Sequence, residues 1–180
     1  ITDLTACFCN CTSLTSIPTG LFDNCINITS SAQCFYNCTS LTSIPNNLFN
    51  NHTNITNFSN CFFNCTLLTS IPTGLFDNCT KVTDFSYCFY KCTLLTSIPA
   101  GLFDNCISIT SFRSCFYTCS SLTSIPNNLF NNHINVTDFR NCFSYCRKLT
   151  LPTAIFNLTA LQTKKPNMTE CFAIDSTTNS

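Results

Sequence analysis

Charge is what this sequence has least of. Only 9% of its 180 residues are Asp, Glu, Lys or Arg, and the formal net charge is zero. The eight basic residues begin at Lys81, and residues 1–80 carry only Asp3, Asp23 and Asp77, so this stretch offers no cation to a phosphate backbone. Nucleic-acid affinity rests on such cations, and no nucleic-acid partner is expected. Glycine is as scarce: three residues do not build a glycine-rich phosphate loop. No run of 18 apolar residues occurs, so no membrane span is expected. A catalytic constellation is missing too. Asp23, Asp77 and Asp104 hold equivalent positions in separate repeats and Glu170 stands apart, with no carboxylate pair and no Ser-His-Asp set. The aspartates read as turn residues, and neither enzymatic activity nor a cofactor is expected.

Against these absences stands a repeat. A Cys-Phe-x-x-Cys segment opens at Cys7, Cys34, Cys61, Cys88, Cys115 and Cys142, every step being 27 residues. A unit of that size cannot bury its own apolar side chains, so it must stack on its neighbours, which turns equivalent residues into continuous columns. Those columns are visible within the chain. After the second cysteine come Leu14, Leu41, Leu68, Leu95, Leu122 and Leu149, then Ile17, Ile44, Ile71, Ile98 and Ile125, each followed by proline. A Leu-Phe pair ends in Phe22, Phe49, Phe76, Phe103 and Phe130, and the next column alternates between Cys25, His52, Cys79, Cys106 and His133.

The expected architecture is a repeat solenoid: residues 1–146 as six coils, 147–175 as a C-terminal cap, and 176–180 as a frayed tail. The Leu-Thr-Ser-Ile and Ile/Val-Thr-x-Phe segments are β-branched and bounded by turn residues, and read as short parallel strands. Two cysteines four apart suit a single helical or 3₁₀ turn. Thr19-Gly20, Thr73-Gly74 and Ala100-Gly101 exchange with Asn46-Asn47 and Asn127-Asn128; Gly and Asn both tolerate left-handed backbone, so one turn accounts for the exchange. SLTSIPNNLFNNH recurs after 81 residues, the mark of a duplicated three-repeat block. Ile1 is in register with Ile28, Ile55, Val82, Ile109 and Val136, and the expectation is either that a signal segment has been removed or that the sequence starts partway along a longer protein.

The segment Val82–Ile98, VTDFSYCFYKCTLLTSI, resembles the BspA-like bacterial surface leucine-rich repeats, whose pattern runs approximately VTDMSxMFxxCxxLTSL. The match recurs in VTDFRNCFSYCRKLT from Val136 and spans most of residues 1–150. The resemblance implies a leucine-rich-repeat solenoid, with surface display, adhesion and protein contacts as its associations.

Seventeen cysteines, about 9% of the chain, suit an oxidising compartment, and an extracellular or cell-surface location is expected. Pairing within repeats and pairing between adjacent coils both fall within disulfide reach. The favoured set is Cys7–Cys11, Cys34–Cys38, Cys61–Cys65, Cys88–Cys92, Cys115–Cys119 and Cys142–Cys146, with Cys79–Cys106 between coils. The rival use of the Cys/His column is a zinc site, which His52 and His133, three coils apart, could not share. Asn-x-Ser/Thr occurs at Asn10, Asn27, Asn37, Asn51, Asn54, Asn57, Asn64, Asn78, Asn135, Asn157 and Asn167. Eight of these eleven lie in the half without Lys or Arg, where N-linked glycans would keep an uncharged surface solvated. Two outward threonine rows, one from Thr2 to Thr137 and one from Thr15 to Thr150, raise ice binding as a remote alternative. The leading expectation is a non-catalytic structural protein stacking end to end with itself into a glycosylated filament or surface layer. The alternative is an adhesin or ligand-binding module contacting other surface proteins or glycans, which a cluster of Lys91, Arg113 and Arg140 on one face would favour.

Overall fold

A computed structural model of the chain describes residues 1–152, 154–156 and 165–174. The path returns to the same place every 27 residues, and parallel bridges mark the register. Asp3, Ser30, Asn57, Asp84, Ser111, Asp138 and Asn167 form one continuous column, and Ser97, Ser124 and Thr150 a second. The solenoid expectation therefore holds, but its strands shrink to these single-residue bridges. No extended strand and no helix occurs among the described residues.

The reason lies in how the corner containing the cysteines spends its backbone donors. The N–H groups of Leu4, Ala6, Phe8 and Asn10 donate to Ser30, Ala32, Cys34 and Tyr36 of the next coil, while those of Cys7, Cys9 and Cys11 close turns within their own coil. Alternation of this kind satisfies every second donor locally, so neither an α-helical nor a sheet ladder can propagate. It requires positive φ at two positions per coil. These are Gln33 and Asn37, Asn60 and Asn64, Tyr87 and Lys91, Ser114 and Thr118, and Asn141 and Tyr145, all between 52° and 60°. Positive φ at the third residue of a turn is the type II signature, and the expected helical or 3₁₀ turn is replaced by linked turns of that sort.

The exchange of Gly with Asn after the proline proves to be one left-handed turn. Gly20, Gly74 and Gly101 have φ of 73–76°, and Asn47 and Asn128 have 65° and 62°. The structure adds a coupling three residues on. Asp23 lies so close over Gly20 that a Cβ there would meet Oδ2 at 2.9 Å. Where Asn47 replaces glycine, the residue three on is Asn50, whose Nδ2 donates to Asn47 Oδ1 at 2.8 Å. The aspartates thus belong to this turn.

Inside, phenylalanines form stacked files. Phe8, Phe35, Phe62, Phe89, Phe116, Phe143 and Phe172 repeat at 5.3–5.5 Å with interplanar angles of 2–7°. A second file runs Phe22, Phe49, Phe76, Phe103, Phe130 and Phe156. Edge-on contacts such as Phe49 on Phe58 at 4.8 Å knit the second file to a third, Phe58, Phe85, Phe112 and Phe139. Both geometries suit the ring quadrupole. The files extend into the segment expected as a cap. Phe139, Asn141, Phe143 and Tyr145 donate to Asn167, Thr169, Cys171 and Ala173, so residues 167–173 are part of a further coil. Leu158, Leu161 and Lys164 of the expected cap, and the tail 176–180, lie outside the described residues.

Candidate functional site

All seventeen cysteines are thiols, including every partner in the favoured pairings: Cys7 and Cys11, Cys34 and Cys38, Cys61 and Cys65, Cys88 and Cys92, Cys115 and Cys119, Cys142 and Cys146, and Cys79 with Cys106. The second cysteine of each coil has a use that needs its proton. Cys38, Cys65, Cys92, Cys119 and Cys146 donate to the carbonyls of Phe8, Phe35, Phe62, Phe89 and Phe116 at 3.1–3.3 Å. Burial pushes the Cys38 thiol up to about 11 and the Cys146 thiol to about 12, so both remain S–H at neutral pH. A file of buried, hydrogen-bonded thiols is a sufficient reason for the cysteine content, and the count alone does not demand an oxidising compartment.

The Cys/His column obeys the same rule. Cys79 and Cys106 donate to the carbonyls of Phe49 and Phe76, and His52 and His133 place Nε2 at 3.1 and 3.0 Å from those of Phe22 and Phe103. Histidine and cysteine exchange here because either supplies one buried donor to the preceding coil. Among the described residues, no group of three or more His, Cys, Asp or Glu could hold a metal.

The threonine rows also serve the stack. Thr29, Thr56, Thr83, Thr110 and Thr137 each donate Oγ1–H to the carbonyl of the threonine one coil back, at 3.0–3.4 Å. Thr42, Thr69, Thr96 and Thr123 repeat this in the second row.

The described sequon asparagines, Asn10, Asn27, Asn37, Asn51, Asn54, Asn57, Asn64, Asn78, Asn135 and Asn167, are half-buried or exposed, none buried; Asn157 lies outside the described residues. Three share a structural task. Asn64 Nδ2 donates to Asn37 Oδ1 at 2.7 Å, and Asn37 Nδ2 to Asn10 Oδ1 at 2.9 Å. Each sits at positive φ, which asparagine tolerates better than most residues.

One outward column is aromatic rather than polar. In the second to fifth coils the residue two after the first cysteine is a partly exposed aromatic: Tyr36, Phe63, Tyr90 and Tyr117, stacked at 4.5, 4.5 and 4.8 Å. In the sixth coil the aromatic moves one place along. Ser144 takes the stripe position and is buried, and Tyr145 takes the positive-φ position that holds Asn10, Asn37, Asn64, Lys91 and Thr118 in the coils before it. That shift tips its ring 66° against Tyr117 and ends the stack. A groove of about 440 Å³ opens there, lined by Tyr90, Lys91, Tyr117, Thr118, Ser120, Tyr145 and Arg147.

Two cations of this half lie over tyrosine rings. Lys91 Nζ lies 5.6 Å from the Tyr90 ring centre, and the Arg113 guanidinium 5.6 Å from that of Tyr87, within cation–π range. Arg140 is committed elsewhere, forked onto Asp138 with contacts of 2.6–3.1 Å. Partial burial raises the Tyr90 and Tyr117 hydroxyls above the usual phenol value, helped at Tyr117 by Tyr145, Tyr90 and the Glu170 carboxylate, so both stay protonated donors. Of the expected trio, Lys91 lines the groove, Arg113 lies over Tyr87 and Arg140 is paired with Asp138. Sequence reasoning passed over the tyrosines; the signal available was the run of aromatics two residues after Cys34, Cys61, Cys88 and Cys115.

A family profile described as "Mycoplasma protein of unknown function, DUF285" matches residues 2–129 and 56–180. No curated protein matches the chain. Among solved structures, the chain is similar to a leucine-rich-repeat protein of T. pallidum at 18% identity and TM-score 0.49, covering 96% of this chain and 80% of that one. It is also similar to a leucine-rich-repeat protein from Bacteroides ovatus, at 22% identity and TM-score 0.35, covering 77% of this chain and 40% of that one. A leucine-rich cell surface protein from Faecalibacterium prausnitzii gives 22% and 0.35, with 80% of this chain and 43% of that one covered. This chain thus spans less than half of the last two proteins.

Proposed function

The chain belongs to the family described as Mycoplasma protein of unknown function, DUF285, and we propose that it acts as a non-catalytic binding module outside the cell, using its aromatic stripe and the groove at the end of it. The single observation behind this reading is the groove itself. Elsewhere on the rod, outward polar groups bond to the coil next door, as the asparagine and threonine ladders do. Around Tyr117 the side chains also enclose an open space, lined by Tyr90, Lys91, Thr118 and Tyr145 among others. A rigid array holding such groups in fixed register binds with little loss of side-chain freedom.

An external location is part of the proposal, as are N-glycans on the surface asparagines. No helix among the described residues is long and apolar enough to cross a membrane. The end-to-end filament is the weaker reading: low charge and near-identical coils suggest it, but no feature of the described surface does.

The test uses beads coated with the purified chain and a panel of immobilised polymers: mucin, gelatin, sulfated dextran, poly-glutamate and neutral dextran. At least one polymer should retain beads carrying the natural chain and release those carrying a Lys91→Ala, Tyr117→Ala, Arg147→Ala triple variant of unchanged circular dichroism. Equal retention of both, or retention of neither on any polymer, contradicts a binding role for this face.

A further inference from the structure

Each coil rounds its cysteine corner in two successive turns that share the second cysteine. In the fourth coil the Cys92 N–H closes the first on the Phe89 carbonyl, and the Leu95 N–H closes the second on the carbonyl of Cys92. Tyr90 and Lys91 are the central residues of the first turn, Thr93 and Leu94 of the second. Both turns open on one surface: Tyr117, Thr118 and Ser120, from the same two turns one coil on, line a single groove.

One position on this surface breaks with its own repeat. Coil by coil it holds Ser13, Ser40, Leu67, Leu94, Ser121 and Lys148. Leu67 and Leu94 are each 43% exposed, and serine fits the same turn in the coils on either side, so folding does not call for leucine there. Neighbouring exposed apolar residues without a folding role mark a contact surface. The pattern is also self-complementary. Ser40, Leu67, Leu94 and Ser121 read alike from either end, and Tyr36, Phe63, Tyr90 and Tyr117 are aromatic at every step, both series centred between the third and fourth coils. A two-fold axis through that centre, perpendicular to the rod, sets Leu67 against Leu94 of a second copy and Phe63 against its Tyr90. Symmetric dimers are built on patches that map onto themselves in this way.

Charge sets the direction of such a pair. Residues 1–80 hold three aspartates and no Lys or Arg, a net charge of −3, and the whole chain is neutral, so residues 81–180 carry +3. On the corner itself Lys91 and Lys148 are exposed, and the first three coils have only Asn10, Asn37 and Asn64, or Ser13, Ser40 and Leu67, at the matching places. Copies lying in the same direction would oppose Lys91 to Lys91 and Lys148 to Lys148. Copies in opposite directions bring Lys91 to Asn64 and Lys148 to Ser13, and each negative half to a positive one. We infer that the corner surface centred on Leu67 and Leu94 takes a second copy of this chain, the two rods antiparallel about a two-fold axis between the third and fourth coils. The pairing goes beyond the binding role proposed above, and places the two grooves at opposite ends of the dimer.

Sedimentation equilibrium of the full chain under reducing conditions, from about 1 μM to about 1 mM, spans the affinities of a contact this small. The natural chain should pass from monomer to dimer with no larger species. Leu67→Ser combined with Leu94→Ser installs the residue of Ser40 and Ser121. It should weaken dimerisation by about tenfold or more, since the axis uses each leucine twice, and leave the unfolding midpoint of the dilute monomer unchanged. Raising sodium chloride from about 0.05 M to about 0.5 M should weaken the natural dimer several-fold by screening the opposed halves. A dimer that tightens with salt would be paired in the same direction and would overturn the antiparallel arrangement. A monomer at every concentration, or a dimer indifferent to the leucine change, would overturn the pairing itself. A monomer that floats with phosphatidylcholine vesicles, and stops doing so in the leucine variant, would give this surface to lipid instead. The bead panel is independent of all these outcomes, because its variant keeps both leucines.

Discussion

The two halves of the rod impose the same backbone on different side chains. Position for position, Asn10, Asn37 and Asn64 occupy the second of the two left-handed sites of the cysteine corner in the first three coils, and Lys91, Thr118 and Tyr145 occupy it in the next three. In the first half the site is filled by the residue best suited to it, and its side chains close a hydrogen-bonded ladder that leaves little for a ligand. In the second half, residues poorly suited to positive φ hold the same site, the ladder is gone, and a groove stands in its place. Residues that locally disfavour their own backbone, held by a repeat that fixes it, are common where a protein binds something. The comparison points to the second half as the functional one and the first as scaffold.

If the halves share one interior, equivalent truncations should cost the same in each. Phe35→Ala and Phe89→Ala remove fully buried rings from the same file. Each should destabilise by about 3–5 kcal/mol in denaturant unfolding. A much smaller cost at Phe35 would mean that the first half is packed independently.

The next effect is a pH dependence seated at His133. Burial lowers the His133 pKa below 6.5, outweighing the raising influence of the Phe103 carbonyl and Asp104, and Nδ1 has no partner. The folded state therefore holds the ring neutral, while the unfolded chain binds its proton near pH ~6.5. The unfolded state gains protons first as pH falls, so this contribution is complete above pH ~6.5 and is lost below it, at up to about 1.4 kcal/mol per pH unit. His133→Cys, which puts the residue of Cys79 and Cys106 in the same place, should flatten the profile. A slope that persists in that variant would place the titrating group elsewhere.

The smallest effect addresses the left-handed site directly. Thr118 is β-branched at φ 57°, and Thr118→Asn should stabilise by about 0.5–1 kcal/mol. Combined with Lys91→Asn it would carry the amide ladder past Asn64 and weaken binding at the groove. Loss of stability instead would mean that Thr118 has a packing role beyond the backbone.

How far these features could be read ahead of the structure depended on range. The 27-residue period, the phenylalanine files and the Gly/Asn turn exchange are properties of short windows repeated many times, and the sequence displays them openly. The linked turns were hidden because Gln33, Tyr87 and Lys91 have no preference for positive φ; the neighbouring coil imposes it. The thiol donors were hidden because Cys38 reaches a carbonyl 30 residues away. The further coil was missed because Cys171 follows Cys142 by 29 residues and Met168 replaces the phenylalanine of Phe139. The groove depends on the one-place shift of Tyr145, which alignment by cysteines shows but cannot interpret without knowing which way the two adjacent positions face.

Hydrogen exchange on the full chain, with and without the polymer that retains the coated beads, sets the two halves against each other in a single measurement. The account predicts slowed exchange at 87–93, 114–121 and 145–148, and none at the matching positions 33–39 and 60–66. Equal protection in both halves, or protection confined to the Asn10–Asn37–Asn64 ladder, would contradict it.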